Sequence, residues 1–199
     1  MTSQIESPPT AVAEVLSPRH LRSCLSRFVT GVTVVSYTHD DEPRGATVNS
    51  FTAVSLDPPL VLVSLARSAR AAGHVGHGPF AINVLRADQI DVAMQFAGRP
   101  RAGARVRWQH DGEAPCLADT IATFQCHPWR IYDGGDHVLV VGEVVTADHR
   151  PGEPLLFTGG SFAMTGLPLH DAPRMVARDD PSANPWLAHA CRLHDAASA

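Results

Sequence analysis

The sequence predicts a mainly β protein, an antiparallel barrel that is closed or nearly closed, with a few helices at its ends. Three observations carry this. Runs of β-branched and apolar residues recur along the chain, separated by Gly, Pro, Asn and Asp. Most connections between them are short, as antiparallel folds allow. Alternating strand–helix–strand units are missing, and so is a G-x-G-x-x-G fingerprint, since Gly73, Gly76 and Gly78 have the wrong spacing.

Residues 1–16 are small, polar and Pro-containing and read as a disordered arm. Ser17-Pro18 reads as an N-cap followed by proline at N1, opening a helix with Leu21, Leu25 and Phe28 on one face and an end at Thr30-Gly31. Val32 to Thr38 is a strand by its β-branched content, His39 to Pro43 a polar turn, and Arg44 to Asn49 the return strand of a hairpin. Phe51 to Leu56 is a further strand, stopped by Asp57-Pro58-Pro59, and Leu60 to Leu65 a buried one. Ser68 is placed to cap a short helix ending near Gly73 or Gly76. Phe80 to Leu85 is a strand, and Asp88 to Ala97 a helix with Ile90, Ala93, Met94 and Ala97 on one face. The Arg- and Gly-rich segment Gly98 to Glu113 reads as a loop or lid. Two long strands, Ile121 to Tyr132 and His137 to Asp148, join at Asp133-Gly134-Gly135-Asp136, and two short ones, Leu155 to Phe157 and Ser161 to Met164, close the regular part. The domain is therefore expected over 17–166. A Pro-, Asp- and Ala-rich C-terminal extension occupies 167–199, with a short helix expected from Asn184-Pro185 and Trp186, Leu187, Ala190 and Cys191 on its apolar side.

Composition narrows the chemistry. The 199 residues hold 16 basic side chains, all arginine, against 20 acidic ones, a net charge of −4. With no lysine, Schiff-base mechanisms and Walker-type phosphate loops are out. A mildly acidic chain without basic blocks is not expected to bind nucleic acid. Cys24, Cys116, Cys126 and Cys191 include no C-x2-C pair and read as reduced thiols. The first residues lack the basic and apolar regions of a signal peptide, and no apolar run approaches the ~18 residues of a membrane helix. The expected location is cytoplasmic. His74 and His77 sit among glycines with no carboxylate at ligand spacing, so no metal site is expected.

Several segments, taken in order, are similar to one family. Phe28-Val29-Thr30-Gly31-Val32-Thr33-Val34-Val35 resembles the opening of the flavin-reductase domain of two-component flavin monooxygenase systems. Ala46-Thr47-Val48-Asn49-Ser50-Phe51-Thr52, followed by Val54-Ser55-Leu56-Asp57-Pro58-Pro59-Leu60, resembles that family's most distinctive stretch. Phe80 to Leu85, Phe96-Ala97-Gly98 and Gly135-Asp136-His137 follow in the family's order. The resemblance runs from about Leu21 to Phe162. It implies a split (Greek-key) antiparallel β-barrel, a homodimer, bound FMN or FAD, and reduction of that flavin by NADH or NADPH. Reduced flavin would then pass by diffusion to a partner monooxygenase or halogenase.

The same residues have local readings of their own. Thr30-Gly31-Val32-Thr33 is either a helix exit, with Gly31 in a left-handed C′ position, or a loop whose amides meet the flavin ring. Asn49-Ser50 is either a turn device or, by resemblance and with Thr47, the first choice for flavin contact. An Asn amide offers both the donor and the acceptor that a flavin pyrimidine edge needs, and such donors would stabilise charge growing there on hydride arrival. The resemblance extends this set to the neighbouring Ala46 and Val48. In Ser64-Leu65-Ala66-Arg67-Ser68-Ala69-Arg70, relatives hold the flavin phosphate, which implicates Ser64, Leu65, Arg67, Ser68 and Arg70; relatives more often carry threonine where Arg70 stands, and solvated surface arginines are the alternative. Asn83 is either an inter-strand hydrogen-bonding residue or a neighbour of the flavin. His137 is either a hairpin residue or, by resemblance, the catalytic group that positions the nicotinamide amide and donates a proton. Two other functions compete with the reductase: a flavin-binding carrier or sensor without turnover, and a pyridoxamine-phosphate oxidase relative, whose phosphate site should carry a lysine this chain lacks.

Overall fold

The computed structural model describes residues 17–110 and 112–166. The expected arm at 1–16, the extension at 167–199 and its helix lie outside the described residues.

Helix α1 (Pro18–Leu25) has the predicted cap: Ser17 Oγ accepts from the His20 N–H at 3.2 Å, with Pro18 at N1. It stops at Leu25, short of the expected Thr30-Gly31, and buries none of its residues. Leu21, Leu25 and Phe28 are all exposed, so this apolar face does not serve the core. Thr30–Gly31 is instead strand β1, paired with Leu156 and Phe157 of β11 (Leu156–Thr158), which also pairs β12 (Ser161–Ala163). Gly31 is therefore not a left-handed helix cap; its φ is not positive.

The central sheet has seven antiparallel strands. They are β2 (Thr33–His39), β3 (Glu42–Val48), β4 (Thr52–Leu56), β5 (Pro59–Ala66), β6 (Phe80–Val84), β9 (Ala122–Gly134) and β10 (His137–His149), in the spatial order β3-β2-β6-β9-β10-β5-β4. A two-stranded ribbon, β7 (Trp108–Gln109) with β8 (Cys116–Leu117), lies in the expected loop region, and α2 is Ile90–Phe96. The sheet's hydrogen-bonded ladder ends at β3 and β4 and does not close on itself. Even so, one core cluster takes Ala46 and Val48 from β3, Val35 from β2, Phe80 from β6, Val140 from β10 and Val63 from β5, so the sheet curves around it.

Strand β2 is buried on both faces: Val35 faces this cluster, while Val34 joins a second one with Val32, Leu85 and Ala93 under α2. That is why its sequence is a continuous β-branched run and not an alternating one. The hairpin turn after it is Asp40-Asp41, both at positive φ, a conformation aspartate tolerates. Strand β3 starts at Glu42, two residues earlier than expected; Pro43 is accommodated because β3 is an edge. The β9–β10 turn has Gly135 at φ 73. Gly142 is required by packing, since a Cβ there would lie 2.5 Å from the Phe80 ring.

Candidate active site

The end of β3 opens a cleft of 820 Å3 lined by Thr30, Gly31, Thr33, Asn49, Ser50 and Phe51, with Leu25, Phe28, Val29 and Phe157 as an apolar wall. Strand period explains which motif residues reach it. In β3, Ala46 and Val48 pack on the core, and Thr47 Oγ1 between them donates to the Ala93 carbonyl of α2 at 2.7 Å. Only where the strand ends do Asn49 and Ser50 turn to the cleft. Val32 is buried at 2% exposure between two lining residues, Gly31 and Thr33.

The polar groups of the cleft differ in what they already bond. Thr33 Oγ1 donates to the Val48 carbonyl at 3.2 Å. Ser50 Oγ is tied to one backbone residue: it accepts from the Ser64 N–H at 3.0 Å and donates to the Ser64 carbonyl at 2.8 Å. Thr30 Oγ1, by contrast, is buried with no hydrogen-bond partner. Asn49 is exposed and its amide bonds nothing among the described residues. A Cβ built on Gly31 meets nothing within 4 Å. An orphaned hydroxyl, a spare amide and a position open to close approach are what a flat, hydrogen-bonding ring requires, so these residues fit a flavin.

Ser50 also ties the cleft to the second half of the site. Ser64, which it grips, lies two residues before Ala66, the register partner of His137. His137 Nδ1 lies 2.6 Å from Asp136 Oδ1. A carboxylate only accepts, so Nδ1 donates in this bond and Nε2 is left for another partner. Hydrogen bonding from His137 holds the Asp136 carboxyl below the usual range, helped by the charge of His137 and of Arg22, which lines the cleft. Asp136 lies outside the site residues the sequence points to; the signal for it is its place directly before the histidine in Gly135-Asp136-His137.

Arg67 is committed to this hairpin. Its N–H donates to the Asp136 carbonyl at 3.0 Å, its Nε to the Gly135 carbonyl at 2.7 Å, and its guanidinium pairs with Asp133. Ser68 is exposed and caps nothing; the turn after it is a 3-10 turn at Arg70–Gly73 that starts from Ala69 without a side-chain cap. Leu65 points into the core at 2% exposure, while Ser64 presents its backbone to Ser50. Arg70 lines a different cleft from Arg67's hairpin, so the two arginines do not converge. Asn83 is wholly buried: Nδ2 donates to the Val34 carbonyl at 2.9 Å and to Ser36 Oγ at 2.8 Å, and Oδ1 accepts from the Leu117 N–H at 2.8 Å. Of its two readings, this geometry favours the inter-strand one. Among the described residues no cluster of His, Cys, Asp and Glu is suited to a metal ion.

Comparison with known proteins matches residues 25–166 to the family model described as flavin reductase-like domain. The chain is 46% identical over 148 residues to an FMN reductase (NADH), SmoA, of Agrobacterium fabrum, covering 72% of this chain and 84% of that one. It is 40% identical over 169 residues to an NADH-dependent FAD reductase of Streptomyces globisporus, covering 80% and 92%. Among solved structures it is similar to BorF, the flavin reductase component of a bacterial two-component tryptophan halogenase. There the TM-score is 0.68 at 40% identity, covering 74% of this chain and 98% of that one.

Proposed function

The chain belongs to the flavin reductase-like domain family and is an NAD(P)H-dependent flavin reductase, and we propose that its flavin binds in the Asn49 cleft with the nucleotide beside His137. The observation that carries this placement is that one cleft is lined by Thr30, whose buried Oγ1 lacks a partner among the described residues, and by Asn49, whose exposed amide is likewise unbonded among them. Thr30, Gly31 and Asn49 would hold FMN or FAD, which would supply the hydride-accepting chemistry that lets NADH or NADPH furnish reduced flavin to a partner monooxygenase or halogenase.

The chain's own residues bind, orient and exclude water. Asn49 supplies a donor and an acceptor to a ring edge that displays both. Thr30 Oγ1 gains the partner it lacks, and Gly31 leaves room for close approach. Ser50 fixes β5 against the cleft, Thr33 fixes the end of β3, and Leu25, Phe28, Val29 and Phe157 keep the ring face dry. Asp136 orients His137 so that Nε2 can hold the nucleotide amide, and Arg67 anchors the hairpin that carries both. Such positioning is the protein's main lever on hydride transfer, whose atoms must come within about 3–3.5 Å. Ser68, exposed at the start of its turn, is the hydroxyl assigned to the flavin phosphate.

A split barrel is our reading of the sheet, supported by the one core shared by β3 and β5 across the unpaired edges. A homodimer is supported by Leu25 of α1 and Phe28, whose apolar side chains line the cleft yet are exposed. No helix among the described residues is long and apolar enough to cross a membrane. A cytoplasmic location fits the NAD(P)H donor. The test is NAD(P)H oxidation by purified protein with each of FMN and FAD; turnover with added flavin is expected, and none with any combination would overturn the assignment.

A further inference from the structure

Hydride transfer moves charge as well as electrons. As a C–H bond of the nicotinamide breaks and an N–H bond forms on the flavin, the neutral ring receives two electrons and one proton. It is left one unit negative, and the nicotinamide one unit positive. A cation placed where that negative charge grows favours the step and the reduced ring.

The Asn49 cleft has one. Arg22 of α1 is the sole ionisable side chain among the described residues that line it; every other polar side chain there is a hydroxyl or the Asn49 amide. Helical spacing accounts for its position, since Leu25 and Ser26, three and four residues on, line the same cleft. The end of the helix is tied down by the Gly159 N–H, which donates to the Ser26 carbonyl at 2.9 Å. Among the described residues Arg22 has no carboxylate at ion-pair distance, whereas Arg67, Arg86, Arg101, Arg107 and Arg150 are each paired with an aspartate. Its charge nevertheless reaches the Asp136 carboxyl, beside His137, so the guanidinium lies on the side of the cleft toward that hairpin. In the reading given above, that is the side on which the nucleotide binds.

We propose that Arg22 is the cation that balances the negative charge arriving on the flavin ring, and that it thereby sets how much more tightly this chain holds reduced than oxidised flavin. The inference rests on the placement of the flavin in the Asn49 cleft. Arg22 is exposed, so water and salt screen it and the effect is modest.

The test compares the wild-type full chain with Arg22→Gln and Arg22→Lys. Affinities for oxidised and for dithionite-reduced riboflavin and FMN are titrated anaerobically, with Tm recorded on the same samples. Riboflavin has no phosphate, so it isolates the ring. In Arg22→Gln the ratio of reduced to oxidised affinity should fall by roughly three- to tenfold for both flavins. At about 30 mV per tenfold, that lowers the bound flavin's two-electron potential by roughly 14–30 mV. Arg22→Lys should retain most of the ratio. The wild-type ratio should also decline between about 0.05 and 0.5 M salt, while that of Arg22→Gln stays flat. An unchanged ratio in Arg22→Gln overturns the inference. So does a weakening confined to FMN and equal in its two redox states, which would assign Arg22 to the phosphate. Asn49→Ala, titrated alongside, decides the placement separately: weaker flavin binding there with no change of ratio in Arg22→Gln overturns this inference alone. None of these titrations uses NAD(P)H, so they also stand apart from the test of turnover.

Discussion

Two asparagines mark two regions that obey opposite rules. Asn83 is in the doubly buried centre of the sheet, both of its amide N–H groups donated and its oxygen accepting, with Ser36 passing the network on to the Pro115 carbonyl. Asn49 stands at the cleft, where its amide bonds nothing among the described residues and the Thr30 hydroxyl of the same lining is buried without a partner there. A buried polar group whose partners all lie within the protein serves the fold, whereas an exposed amide lining a cavity is open to a ligand.

The largest expected effect belongs to the core. Asn83→Ala leaves the Val34 carbonyl, Ser36 Oγ and the Leu117 N–H short of a partner, so it should cost about 3 kcal/mol of stability, read from denaturant midpoints. His137→Ala should lower kcat/KM for NAD(P)H by roughly 10- to 100-fold while flavin affinity and stability stay put. A parallel loss of flavin affinity would mean that His137 belongs to the cleft and not to the nucleotide.

Loosening the hairpin tip should do less. Arg67→Ala releases Gly135 and Asp133 and should lower kcat/KM by about three- to tenfold through misplacement of His137. The smallest effect is Asp136→Asn, a loss of a few-fold, with a defined pH signature. The folded-state pKa of Asp136 is depressed, so the contribution of its contact with His137 is present above the unfolded value, about 3.9, and is lost as pH falls through the lower folded value. The wild-type rate should therefore show no step from this carboxylate between pH 5 and 8, in a pH profile of kcat/KM.

Legibility in the sequence followed the same division. Strands were readable because β-branched runs and turn residues are local signals, and the cap at Ser17 was readable for that reason too. The end of α1 was not: Leu21, Leu25 and Phe28 keep helical spacing, but Phe28 lies beyond the helix and lines a cleft. Whether the sheet's edges pair is a long-range matter that no local pattern encodes. At the site, the family's contiguous motifs drew in Val32, Ala46, Val48 and Leu65, which are turned to the core, along with the cleft-lining Gly31, Thr33 and Asn49. Asn83 and Asn49 look alike as letters; only the partners around them, brought from distant segments, tell them apart.

That contrast is most directly tested by titrating FMN into Asn49→Ala and wild-type protein, with thermal unfolding recorded on the same samples. About tenfold weaker FMN binding is predicted, worth ~1.4 kcal/mol, with Tm unchanged. Unchanged FMN affinity, or a fall in Tm accounting for the loss, would contradict the assignment of the Asn49 cleft as the flavin site.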